Sequence, residues 1–118
     1  NGCGYIPHRV REGYGLNEGA IRKLAGEGVT LLVTSDCGTT SHHEIAVANQ
    51  LGLDVIVTDH HQTDEDLPPA LAVMNPHRRD ARYPFRGLCS GGLAYIHPSP
   101  PIAAMTGIGN RTIVSYSP

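Results

Sequence analysis

Residues 30–61 read "TLLVTSDCGTTSHHEIAVANQLGLDVIVTDHH", and the fold class follows from how this stretch is divided. It opens on a run of leucine and β-branched residues of strand length, without polar alternation, as expected of a parallel strand covered on both faces. The run stops at Asp36-Cys37-Gly38. From Thr39 to Gly52 the pattern changes: Ser41 and Glu44 have capping-box spacing, Ile45, Ala48 and Leu51 share one helical face, and Gly52 closes the segment. "LDVIVTDHH" is then a second buried strand. Strand, helix and strand over this length suit one βαβ crossover. The class is therefore α/β, a parallel sheet with flanking helices whose core lies at about residues 30–61.

Outward from this unit, "NEGAIRKLAGEG" at 17–28 predicts a short amphipathic helix, with Asn17 as N-cap and Ile21, Leu24 and Ala25 on the apolar face. On the other side, "ALAVMNP" at 70–76 predicts a third short strand stopped by Pro76. The irregular segment "HRRDARYPF" follows at 77–85, and "GLCSGGLAY" at 87–95 reads as a glycine-rich approach to a helix. Where that helix is due, "IHPSPPIAAMTGIGNRTIVSYSP" brings three prolines in four positions, which remove amide donors and block helix continuation. The expected division is residues 1–95 as a partial catalytic domain and 96–118 as an aberrant or divergent tail. A shifted reading frame or a chimeric join would produce such a tail. Within it, "TIVSY" at 112–116 is either a strand or no element at all. The absence of methionine at position 1 adds to the expectation of a fragment.

The chain has 118 residues, 40% of them apolar, enough for one modest core. Nine basic and eleven acidic residues leave a net charge of −2. No global positive field gathers nucleic acid or an anionic membrane, so any phosphate must be held locally. No apolar run is long enough to span a bilayer. Cys3, Cys37 and Cys89 are odd in number and widely spaced, with no CxxC pair, which predicts a reducing, cytoplasmic setting and no disulfide-linked partner.

The chemistry is expected where the two strands end. "LLVTSD" and "VIVTDHH" share a plan: an apolar run, Val-Thr, then a carboxylate at the carboxyl end. Parallel neighbours lie about 4.8 Å apart with both carboxyl ends on one edge, so Asp36 can meet Asp59, His60 and His61. Open α/β sheets bind their ligands in the crevice at that edge. Crowded carboxylates repel one another, and a divalent cation relieves the repulsion. Carboxylate oxygen mixed with imidazole nitrogen suits manganese, iron or zinc. By contrast, His42 and His43 sit in the first turn of an amphipathic helix and read as solvated surface. Asp64, Glu65 and Asp66 read as a polar loop, and Cys37 as a small packed residue rather than a nucleophile.

The blocks "YIPHRVREGYGLN" (5–17), "TSDCGTT" (34–40), "VIVTDHH" (55–61) and "AVMNPHRRDARYPFRGLCSGGLAY" (72–95), in this order and spacing, resemble the DHH phosphoesterase superfamily and, within it, the RecJ-like single-stranded-DNA exonucleases. The resemblance implies a two-metal site, with Mn2+ or Mg2+, for in-line phosphodiester hydrolysis. Asp36 and His60 would be metal ligands, and His61 would face the scissile phosphate. Asp59, the other member of the catalytic pair, would support the histidines or the metal shell. It also implies single-stranded DNA as partner, hydrolysed 5′ to 3′ in repair and recombination. The candidate backbone contacts are Arg9, Arg78, Arg79 and Arg82. The family's earlier aspartate-rich motif and its later aspartate have no match in these residues, so the chain alone is expected to be nearly inactive. Two alternatives stand beside this reading. One is a DHH enzyme for short oligonucleotides, cyclic dinucleotides or pyrophosphate; the other is a non-catalytic scaffold for DNA or partner proteins.

Overall fold

A computed structural model of the chain describes residues 2–5, 15–82, 85–89 and 112–116. The elements are β1 (Gly2–Tyr5), α1 (Glu18–Gly26), β2 (Leu31–Ser35), α2 (His42–Gln50), β3 (Asp54–Thr58), β4 (Ala72–Met74) and β5 (Thr112–Tyr116). All pairings are parallel, in the order β1-β5-β2-β3-β4. The expected strand–helix–strand unit is β2-α2-β3. Residues 112–116 form a strand between β1 and β2, resolving the ambiguity of "TIVSY" in favour of a strand. The glycine-rich segment expected to lead into a helix lies for the most part outside the described residues, as does Arg9.

Helix α1 starts as its sequence dictates. Asn17 is extended (φ −135°, ψ 148°), and its Oδ1 accepts a 2.8 Å bond from the Ala20 amide, satisfying one of the donors a helix start leaves open. Ala20, Ile21 and Leu24 are buried. Helix α2 departs from expectation, because the Ser41 side chain makes no capping bond. The Ser41 amide instead bonds the Gly38 carbonyl at 3.1 Å, closing a turn that leaves Ser41 at φ −85°, ψ 54°. That is outside the extended conformation from which a cap side chain reaches back to the first turn, so the Ser41–Glu44 capping box does not form.

The two helices contribute to one core on one face of the sheet. Ile21 and Leu24 of α1 and Ile45, Val47 and Ala48 of α2 meet Leu32, Val55, Val57 and Val73 from the strands. Leu31, Val33 and Ile56, the alternate strand positions, form a second cluster with Ala72 and Met74 on the other face. This accounts for the unalternating hydrophobicity of both strands. Each fully buried Leu, Ile or Val contributes about 1.5–3 kcal/mol, so these faces fix the strand register.

Strand register in turn sets which polar residues share the sheet edge. Ser35 pairs with Thr58, and Thr58 with Met74. The ladder runs one step further: the Asp36 amide bonds the Thr58 carbonyl at 2.9 Å and the Asp59 amide bonds the Met74 carbonyl at 3.0 Å. Asp36, Asp59 and Asn75 therefore leave the sheet side by side at its carboxyl edge. The repeated Val-Thr has its own explanation. Thr34 Oγ1 donates to the Cys37 carbonyl at 2.7 Å, and Thr58 Oγ1 donates to the Thr34 carbonyl. The Thr34 hydroxyl closes the turn that follows its own strand, and the Thr58 hydroxyl ties the end of β3 to β2.

Candidate metal centre at the carboxyl edge of the sheet

Asp36 is the only non-glycine residue with positive φ among the described residues, at +64°. Aspartate visits this left-handed region more readily than most residues, and the turn swings its carboxylate toward the β3 end. Two residues on, Gly38 has φ +108°, and a Cβ there would lie 3.1 Å from Thr34 Oγ1 and 3.3 Å from both Val57 methyls. The loop packs this tightly because only glycine fits there.

Asp36 Oδ1 lies 2.7 Å from His60 Nε2, and each side chain is about one-third exposed. Beside this pair, Asp59 Oδ1 lies 2.6 Å from His61 Nδ1. The two imidazoles are 4.7 Å apart, centroid to centroid, and tilted by 37°. Asp36, His60 and His61 each present a ligand atom, all within 4.8 Å of one another. One oxygen and two nitrogen donors at that spacing fit a borderline divalent ion such as manganese, iron or zinc. The pairing of Asp36 with His60 shows that their donor atoms already converge.

Asp59 is built differently, with a side chain only 2% exposed. Its Oδ2 accepts from the Thr39 amide at 3.1 Å, and its Oδ1 accepts from the amides of His60 at 2.8 Å and His61 at 3.3 Å. Burial pushes its pKa up, but hydrogen bonds from Thr39, His61 and the backbone amides outweigh burial and hold it below the ordinary value. An ionised Asp59 accepts at Oδ1, so His61 donates from Nδ1 and its further chemistry is carried by Nε2.

Two residues not singled out from the sequence complete this arrangement. Asn75 Nδ2 donates to Thr39 Oγ1 and to the His61 carbonyl, both at 2.9 Å, and Asn75 Oδ1 accepts from the His77 amide at 2.8 Å. Thr39 and Asn75 are buried polar residues. The sequence signal was a polar residue at the end of each expected strand, at Asp36, Asp59 and Asn75; the third strand was expected, but its end was marked by Pro76 rather than by Asn75.

Other candidates contribute no ligand atom to this cluster. His42 faces Asp64 at 3.5 Å, and His43 faces Glu18 at 3.3 Å with most of its side chain exposed, in keeping with a solvated helix end. Cys37 is buried, and its thiol is pushed up to about 11 by burial and by the charges of Asp59 and Asp36, which makes it a packed residue and a poor nucleophile. Arg78 is paired with Asp80 at 2.6 Å and donates to the Val73 carbonyl, so it braces its own loop. Arg79 pairs with Glu65 at 3.1 Å on the surface, and Arg82 is exposed.

A family model, the DHH family N-terminal domain, matches residues 3–106. The chain belongs to the DHH family. Among the relatives of this DHH chain is the single-stranded-DNA-specific exonuclease RecJ of Bacillus subtilis (strain 168), 45% identical over 91 residues, or 77% of this chain and 12% of that protein. RecJ of Escherichia coli (strain K12) is 40% identical over 90 residues, covering 76% and 16%. RecJ of Thermus thermophilus is 46% identical over 70 residues, covering 58% and 10%. A crystal structure of exonuclease RecJ bound to manganese superposes with a TM-score of 0.65 at 35% identity, over 77% of this chain and 23% of that one. The chain thus spans between a tenth and a sixth of the length of these relatives. The parallel α/β architecture read from residues 30–61 is shared with that RecJ structure.

Proposed function

We propose that this DHH chain is part of a metal-dependent phosphodiesterase, a RecJ-like exonuclease that degrades single-stranded DNA from the 5′ end in repair and recombination, with manganese or magnesium as cofactor. The observation that carries the proposal is the convergence of Asp36, His60 and His61 donor atoms within 4.8 Å at the carboxyl edge of the sheet. Relatives that are single-stranded-DNA-specific exonucleases, and a RecJ structure bound to manganese, support it.

In this reading Asp36 and His60 hold the ion, and His61 Nε2 faces the ion or the scissile phosphate. Asp59 holds His61 in the Nδ1–H tautomer. When bound, divalent ions supply charge neutralisation at the phosphate and acidification of water. The open, partly exposed geometry of Asp36 and His60 admits a substrate phosphate. Arg79 and Arg82, with Arg9 and Arg78, are proposed to follow the nucleic-acid backbone locally, as the net charge of −2 requires. Residues 96–118 are proposed as a divergent segment carrying none of these side chains.

The test uses the full-length protein that contains this chain and 5′-labelled single-stranded DNA with manganese. Mononucleotide release from the 5′ end of single strands, with duplex spared and activity lost in Asp36→Asn and His60→Ala, is the expected outcome. Hydrolysis confined to dinucleotides would favour the other DHH substrate classes, and manganese binding without hydrolysis would favour a scaffold.

A further inference from the structure

We infer that Asn75 is a positioning residue for the chemistry proposed above, acting through Thr39 and Asp59 to fix the tautomer of His61 and, directly, the peptide that carries it. The inference rests on that reading of the site for its kinetic consequence, but not for its structural content.

Asn75 follows β4 as Asp36 follows β2 and Asp59 follows β3, so three adjacent strands each deliver one polar residue to the same edge. It is buried, and both of its amide donors and its carbonyl oxygen are engaged. A hydroxyl has one proton to give, whereas the amide nitrogen of asparagine can only donate. Because Asn75 Nδ2 donates to Thr39 Oγ1, the hydroxyl is the acceptor in that bond and its own proton is directed elsewhere. The buried partner beside Thr39 is Asp59, whose Oδ2 already accepts from the Thr39 amide. The Thr39 side chain stabilises the ionised form of Asp59, which directs that proton to the carboxylate, and the same carboxylate accepts from His61 Nδ1 at 2.6 Å.

The second Asn75 donor closes the figure by holding the His61 carbonyl at 2.9 Å. His61 is thus gripped twice: at its ring through Asp59 and at its peptide by Asn75. A carboxylate that orients a histidine is commonly oriented in turn, and loss of such outer partners costs about 10- to 100-fold.

The experiment compares Asn75→Ala, Thr39→Val and Thr39→Ser in the full-length protein, together with the Asn75→Ala/Thr39→Val double variant. With single-stranded DNA and manganese, Asn75→Ala and Thr39→Val should each lower kcat about 10- to 100-fold while KM changes less than about threefold. Thr39→Ser, which keeps the hydroxyl, should restore kcat, and the double variant should fall little further than either single one. In metal-free protein labelled with 15N-histidine, His61 should be the Nδ1–H tautomer in the parent and in Thr39→Ser, and should shift toward Nε2–H in Thr39→Val. This readout stands even if the DNA substrate is misidentified, which separates the two failures. If Asn75→Ala does not fold, the Thr39 pair decides. Unchanged tautomer and kcat in Thr39→Val, or additive losses in the double variant, would overturn the inference.

Discussion

Two Asp–His pairs stand next to each other at the sheet edge, with closest contacts of 2.7 Å and 2.6 Å, yet they are constructed for different tasks. Asp36–His60 is partly exposed, sits on a left-handed turn, and its donor atoms point at one another. Asp59–His61 has a buried carboxylate that accepts from three backbone amides as well as the ring. The first leaves its donor atoms reachable from solvent. The second holds a geometry already formed, its hydrogen bonds made during folding. The same pair of side chains thus stands in two settings, one buried under backbone donors and one about one-third exposed.

Removing the support should have the largest effect. Asp59→Ala leaves the amides of Thr39, His60 and His61 without their acceptor, and is expected to cost about 3 kcal/mol of stability and to abolish activity. Urea denaturation of the parent and variant measures the first. Asp36→Asn should show the reverse profile. Asparagine tolerates the left-handed turn, so stability should stay within about 1 kcal/mol. Manganese affinity by calorimetry should fall on the order of 100-fold or more, beyond what an outer partner alone commands. Equal loss of stability in the two variants would erase the distinction drawn between the pairs.

Cys37, whose thiol feels the charges of both carboxylates, sharpens the comparison through pH. Burial and the two charges raise its thiol pKa to about 11, so the unfolded chain loses that proton first as pH rises. Its contribution is complete below the unfolded value near 9 and is lost progressively as pH climbs to about 11. The loss amounts to about 2–3 kcal/mol. A Cys37→Ala variant should therefore show a flatter alkaline decline in denaturation midpoints. At about pH 8, exposed Cys89 should react with iodoacetamide well before buried Cys37. The smallest effect belongs to His43→Ala. That pair with Glu18 is solvent-exposed, and both stability, within about 0.5 kcal/mol, and nuclease rate should be unchanged.

The adjacent histidines at 42–43 and 60–61 show how far the sequence could be read. Position at a helix start marked one pair as surface, and position after a buried strand marked the other as the candidate site. The apolar runs also set Asp36 and Asp59 on a common edge, because parallel strands of matched length end together. The Ser41 cap was misread because spacing alone does not reveal the turn from Gly38 that rotates Ser41 away. Asn75 was missed although its strand was expected, because Pro76 beside it read as the stop of the strand and an amide carries no charge to suggest a site.

Local sequence was sufficient for the α/β class, the order of β2, α2 and β3, and the placement of Asp36, Asp59, His60 and His61 at the strand ends, since strand and helix periodicity and burial are encoded in neighbouring residues. Only tertiary structure decided that residues 112–116 enter the sheet between β1 and β2. It alone buried the Asp59 carboxylate while leaving Asp36 about one-third exposed, and brought Thr39 and Asn75, 36 positions apart, into contact. Those outcomes depend on strand register and on which donors surround each carboxylate, quantities that arise from contacts between segments distant along the chain.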